Sequence, residues 1–275
     1  TLGLLCLAAI GFRVLLLPLV NHPGINDPVH YYNLGQRLAA GEGFTIDYVW
    51  HYIELPADIV HPVDYWLPLP GILAALGMAL LGEGIVPALL PFILLAGSLP
   101  IVVYAASRQL GVGQTASLVA AGFTITLPGM VFNALLPDTI LPNMVLLCSS
   151  LILLLHGLRR GALWAFAASG LFAGLAYLNR NDVILIFPMM IVLLTLHALV
   201  GRKGGYPLRN WRYVPLLIGV MLIVIAPWTL RNLSVTGSFG GVETNRIFFF
   251  TDYVQHYAYG RDFTLETMLD EQTPT

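Results

Sequence analysis

Charge is scarce in this sequence. Asp, Glu, Lys and Arg make up 10% of the 275 residues, against about a quarter in a soluble domain. Hydrophobic residues make up 57%, and mean hydropathy is +0.78. A soluble core of this size could not hide so much apolar surface, so lipid must be the solvent for part of the chain. Net charge is only −2, which gives a nucleic-acid partner no support. Cysteine is nearly absent too. Cys6 and Cys148 both lie inside apolar runs, so there is no disulfide framework and no zinc spacing, and both read as small buried apolar residues. The chain also lacks a repeat, a low-complexity segment and a Gly-rich phosphate loop.

What is present is a series of apolar runs. Seven are long enough to span, roughly 2–20, 85–107, 115–134, 139–156, 161–178, 183–200 and 213–230. Each approaches the roughly 20 residues that a bilayer demands. Prolines such as Pro91, Pro128 and Pro188 interrupt them, which packed spans tolerate. The first run has no small-residue cleavage site after it, so it reads as a membrane helix and not as a signal peptide. The fold class is therefore all-α and integral to the membrane, with about seven transmembrane helices plus juxtamembrane helices in a long first outer loop. The run 69–82 is only 14 residues, and charge decides its place. If it lies flat at the outer interface, one face of the membrane receives Arg108, Arg159, Arg160, Arg202, Lys203, Arg209 and Arg212, and no acid at all. Short loops rich in Lys and Arg stay in the cytoplasm. The amino terminus is then cytoplasmic, and 21–84 and 231–275 lie outside.

The outer side holds the unusual residues. Asn26 or Asp27 is placed to cap a helix with Pro28 at its first position, and the run 28–40 reads as amphipathic, ended by Gly41 and Gly43. Asp27 is either that plain cap or a general base at the water–lipid boundary. Arg180 closes the fifth span and Arg231 the seventh. Each is either a snorkelling anchor or a ligand for an anionic headgroup, because a guanidinium matches phosphate with two hydrogen bonds. Asp138 begins the fourth span, as a functional carboxylate or as a capping residue. His30 lies one turn after Asp27, on the same helix face, and either orients the Asp27 carboxylate or is a surface residue, the reading preferred here. Arg13, inside the first span, is expected to pair with Asp138 or to snorkel outward. His22, His30, His51 and His61 share the first outer loop with Asp47, Glu54, Asp58 and Asp64, but no pair has the tight spacing of a zinc motif. No metal and no cofactor is called for. The aromatic stretch 247–260 reads as an interfacial belt or as a cover over a site.

Several of these segments together resemble one known superfamily. DPVHYYNLGQRLAAGEGF, with Asp27, Tyr31, Tyr32, Gly41, Gly43 and Phe44, resembles the first outer loop of the GT-C membrane glycosyltransferases. The similarity is closest to the bacterial branch related to protein O-mannosyltransferases and lipid A aminoarabinose transferases. His61-Pro62 and the following WLPLPGILAALGMALLG resemble that family's loop motif and juxtamembrane helix. GLAYLNR, ending at Arg180, and APWTLRNLSVTGSF, holding Arg231, resemble two further elements. One departure stands out: Pro28 occupies the place where the family often has a second acid.

The resemblance implies one module over 1–275, part of a longer protein with further carboxy-terminal spans. It implies a plasma-membrane enzyme with its site on the extracytoplasmic face. A polyprenyl-phosphate sugar would be the donor and a lipid, glycan or protein the acceptor. Asp27 would be the base, Arg180 and Arg231 would bind the donor phosphate, and Asp138, Tyr31, Tyr32 and His61 would support them. The alternatives are a transporter or flippase of lipid-linked sugars, and a non-catalytic subunit that binds them.

Overall fold

A computed structural model describes residues 1–48, 66–180 and 208–236, together with Asp182, Val183, Leu185, Pro188 and Val192. His61 and the stretches 49–65, 193–207 and 237–275 lie outside the described residues. Among those described, every regular element is a helix.

Helix α1 (Leu2–Leu16) continues as a 3-10 turn to Leu19. Next come α2 (Asp27–Ala39) and α3 (Leu69–Leu81). The pair α4 (Ile85–Gly97) and α5 (Leu99–Gln109) follows. Then come α6 (Gln114–Thr126), α7 (Pro128–Ala134), α8 (Ile140–Arg160) and α9 (Leu163–Asn179). A 3-10 turn, Leu208–Tyr213, leads into α10 (Val214–Thr236).

Among the described residues, four stretches are long and apolar enough to cross a membrane: Leu2–Leu19, Ile85–Gln109, Ile140–Arg160 and Asn210–Val235. The third expected span is a broken one, α6 and α7 meeting at 53°. The fifth is α9, somewhat shorter than a full span, and most of the sixth lies outside the described residues. Helix α3 has 13 residues. At 1.5 Å per residue it reaches about 20 Å, short of the roughly 30 Å hydrocarbon layer, and it packs on α2 and α4 instead.

Small residues and hydroxyls hold the bundle together. Gly170 and Gly174, four apart on α9, face α10 so closely that a Cβ at Gly170 would strike the Leu217 carbonyl. This is the small-residue packing that membrane helices use in place of a hydrophobic driving force. On the other face of α9, the Ser169 and Ser150 hydroxyls lie 3.0 Å apart, and each also donates to the other's carbonyl across α8.

Two expectations are corrected here. Arg13 neither meets Asp138 nor snorkels. It is fully buried and donates to the carbonyls of Ala9 at 2.9 Å, Thr124 at 3.0 Å and Met130 at 3.4 Å. The reason is local: the Thr124 carbonyl would bond the N–H four residues on, and that residue is Pro128, which has none. Arg13 supplies the missing donor, and the broken span stays satisfied at depth. Cys148 is exposed rather than buried, because it lies on the face of α8 turned away from the bundle.

Candidate functional site

Two ends of the bundle collect the polar residues. At one end the last turns of α5 and α8 meet the 3-10 turn that leads into α10. Arg159 donates to the Gln109 carbonyl at 3.3 Å, and Asn210 to the Leu158 carbonyl at 2.8 Å. Arg108, Arg160 and Arg212 flank these contacts on their own elements.

The other end is built around α2. Asn26, at φ 59°, precedes the helix, and neither it nor Asp27 caps it through a side chain. The carboxylate of Asp27 is turned elsewhere, and its Oδ1 accepts the Trp66 indole N–H at 3.1 Å. Gly41 and Gly43 take positive φ, a conformation open to glycine, and so end the helix and reverse the chain. Arg37 donates to the Thr45 hydroxyl at 2.7 Å and Asn33 to Asp47 at 2.6 Å, folding the returning strand of chain along α2. Tyr48 thereby reaches His30, with the ring Nδ1 and the phenol oxygen 2.5 Å apart.

His30 is not the surface residue that the sequence predicts. It is 1% exposed and stacks on Trp66 with ring centres 3.9 Å apart. Burial pushes its pKa down to about 3, so the imidazole is neutral. Burial raises the Tyr48 phenol, and the carboxylates of Asp47 and Asp27 raise it further.

Asp138 stands in the turn between α7 and α8. Its Oδ1 accepts the Thr139 N–H at 2.5 Å and the Thr139 hydroxyl at 3.2 Å. Burial pushes this carboxyl above its ordinary range. The Asp27 carboxylate pushes the same way, while the Thr139 bonds and the Arg180 charge oppose them. Arg180, one residue past α9, is exposed and pairs with Asp182 at 2.9 Å; their side chains are 42% and 51% exposed. It also donates to the Thr139 hydroxyl at 3.4 Å, and beside it Asn179, buried, donates to the Thr139 carbonyl at 2.8 Å. Its guanidinium feels Tyr31 and Asp138 as well as Asp182. Asp27 and Tyr31 on α2, Asp138 before α8 and Arg180 after α9, from three separate segments, therefore share one electrostatic neighbourhood.

Two expected residues stand apart from that group. Tyr32 packs against the α3–α4 core, and its charged neighbour is Glu83. Arg231 lies over the Phe44 and Trp228 rings, 5.1 and 4.8 Å from their centres, and donates to the Phe44 carbonyl at 3.2 Å. These contacts tie Arg231 to the end of the α2 loop. Trp66, Tyr48 and Thr139 carry no role in the sequence reading. The only trace of Trp66 is its place just ahead of the α3 run, and nothing local links it to a carboxylate 39 residues earlier.

A sequence model of the dolichyl-phosphate-mannose-protein mannosyltransferase family matches residues 60–230. No curated protein matches the chain. The matched range holds Asp138 and Arg180, while Asp27 lies 33 residues before its start and Arg231 one residue past its end.

Proposed function

This chain belongs to the dolichyl-phosphate-mannose-protein mannosyltransferase family, multi-pass membrane glycosyltransferases, and we propose that it moves a sugar from a polyprenyl-phosphate donor to an acceptor hydroxyl outside the cytoplasm. The acceptor is a lipid, glycan or protein. Residues 1–275 are read as one catalytic module of the plasma membrane, with the amino terminus cytoplasmic and 21–84 and 231–275 as outer loops. The observation that carries this reading is the convergence of Asp27, Asp138 and Arg180 at one end of an otherwise apolar bundle.

The chemistry needs little more. Asp27 takes the proton from the acceptor hydroxyl. The oxygen attacks C1 of the sugar, and the bond from C1 to the phosphate oxygen breaks. The polyprenyl phosphate leaves with the electron pair, and the proton stays on Asp27 until water or the product phosphate removes it. Arg180, and Arg231 in a second position, neutralise the developing phosphate charge. The Arg180–Asp182 pair is half exposed, so opening it to admit a phosphate costs at most about 1 kcal/mol. Asp138 orients the acceptor or the base, with Tyr31 beside it.

The test is transfer from radiolabelled polyprenyl-phosphate sugars in membranes holding the full-length protein, with Asp27→Asn alongside. Label reaching an acceptor with wild type alone supports the reading. Near-normal transfer by Asp27→Asn removes Asp27 from the role of base, and no transfer from any donor by well-folded wild type overturns the enzyme reading.

A further inference from the structure

We propose that Trp66 is the positioning residue of the Asp27 carboxylate: its indole N–H fixes Oδ1 and leaves Oδ2 directed at the acceptor. The inference rests on the reading of Asp27 as the base. Asp27 begins its helix after a residue at positive φ and caps nothing, so its own element leaves the carboxylate free to rotate. The Trp66 N–H at 3.1 Å is the donor that removes that freedom. Among the described residues, Oδ2 receives no hydrogen bond, so one oxygen is held and the other remains to accept a proton.

Trp66 is itself fixed. It is 5% exposed and stacked on His30, whose ring tilts 17° from the indole and whose Nδ1 is tied to Tyr48. Tyr31 closes the edge of His30, 5.5 Å between ring centres. An indole buried in this way offers no open face to a sugar, which sets aside a role as a stacking platform. A neutral imidazole suits the arrangement. A charged one beside Trp66 would draw the carboxylate toward itself, and burial keeps His30 uncharged. The layer of Tyr48, His30 and Trp66 thus transmits the rigidity of α2 to the one side chain on it that is proposed to move a proton. Catalytic groups need such support, because a base loses rate when its rotamer is left to chance.

The experiment is a double-mutant cycle with Trp66→Phe and Asp27→Asn, in full-length protein, reading kcat and the KM for a radiolabelled polyprenyl-phosphate sugar. Trp66→Phe keeps the stack on His30 and deletes only the donor. The expected result is a ten- to hundred-fold fall in kcat, about the value of a hydrogen bond to a charged group, with KM for the donor within about twofold. In the Asp27→Asn background the same change should be nearly silent, since the bond it deletes serves only the carboxylate. A thermal melt of each variant in detergent checks the fold. Equal losses in both backgrounds, or none in the wild type, overturn the inference while leaving Asp27 as base. Wild-type transfer by Asp27→Asn removes the base assignment and this inference with it.

Discussion

At one end of the bundle Arg108, Arg159 and Arg212 donate to the Val112 carbonyl, the Gln109 carbonyl and the Tyr213 hydroxyl. Among the described residues no carboxylate joins them. At the other end Arg180 holds Asp182 and stands near Tyr31 and Asp138, and Asp138 in turn feels Asp27. The same side chain serves two purposes. In the first setting guanidinium groups meet the carbonyls and hydroxyls of helix ends and hold a surface charge of one sign. In the second, opposite and like charges are pressed together, and a carboxyl is driven from its ordinary range. Charges of mixed sign meeting at one end are what the proposed chemistry draws on. Uniform cations at helix ends mark a place where a protein meets a membrane surface.

Substitutions that treat the two ends alike test that contrast. The largest effect is expected at Asp27: Asp27→Asn should lower transfer by about a hundred- to ten-thousand-fold, whereas Arg159→Gln should leave the rate within about twofold. Matched rates for the two variants would erase the distinction. Arg180→Gln should come next, lowering kcat by about ten- to a thousand-fold, the usual cost of removing a charge-stabilising donor. Arg180→Lys should recover part of that loss, and Arg212→Lys at the opposite end none is needed, its rate staying at wild type.

Arg13 lies in the first span and belongs to neither end. Arg13→Met strips the donor from the Thr124 carbonyl at the break between α6 and α7, and it should cost about 1–3 kcal/mol of stability, read as a lower melting temperature in detergent. The smallest effect should come from His30. Its pKa is about 3 when folded and near 6.5 when unfolded. Above pH 6.5 both states are neutral and its contribution is intact. As pH falls toward 3 the unfolded chain binds a proton that the folded chain refuses, and stability is lost, roughly 1–2 kcal/mol by pH 5. Melting of His30→Phe should therefore depend less on pH between 7 and 5 than melting of wild type. An equal dependence in the two proteins would show that His30 is not the group whose protonation couples to folding.

Much of the helical order is legible along the chain because it depends on composition and local signals. Apolar length marks the spans, Pro128 marks a break, and the Gly41 and Gly43 pair ends α2 where expected. Arg180 and Asp138 are legible as site candidates because charge at the end of an apolar run is rare enough to need a reason. His30 looks exposed in sequence for a physical reason: it is a polar side chain one turn past Asp27 on an amphipathic helix, and its burial comes from Trp66 and Tyr48, which arrive from elsewhere. Tyr31 and Tyr32 are adjacent and look alike in sequence, yet helical geometry turns them about 100° apart, one toward Arg180 and the other into the α3–α4 core.

Sequence by itself pointed to a helical membrane protein and put Asp27, Asp138 and Arg180 at the ends of its helices. Each follows from local composition, since a bilayer accepts only long apolar helices and expels charge to their ends. Tertiary structure alone decided which of those ends meet. It brought Trp66 to Asp27 across 39 positions and Arg180 to Thr139 across 41. It also gave Arg13 to a carbonyl that Pro128 had left bare. Such pairings depend on how helices pack side by side, through contacts as close as that of Gly170 with Leu217, and no periodicity within one helix records its neighbour.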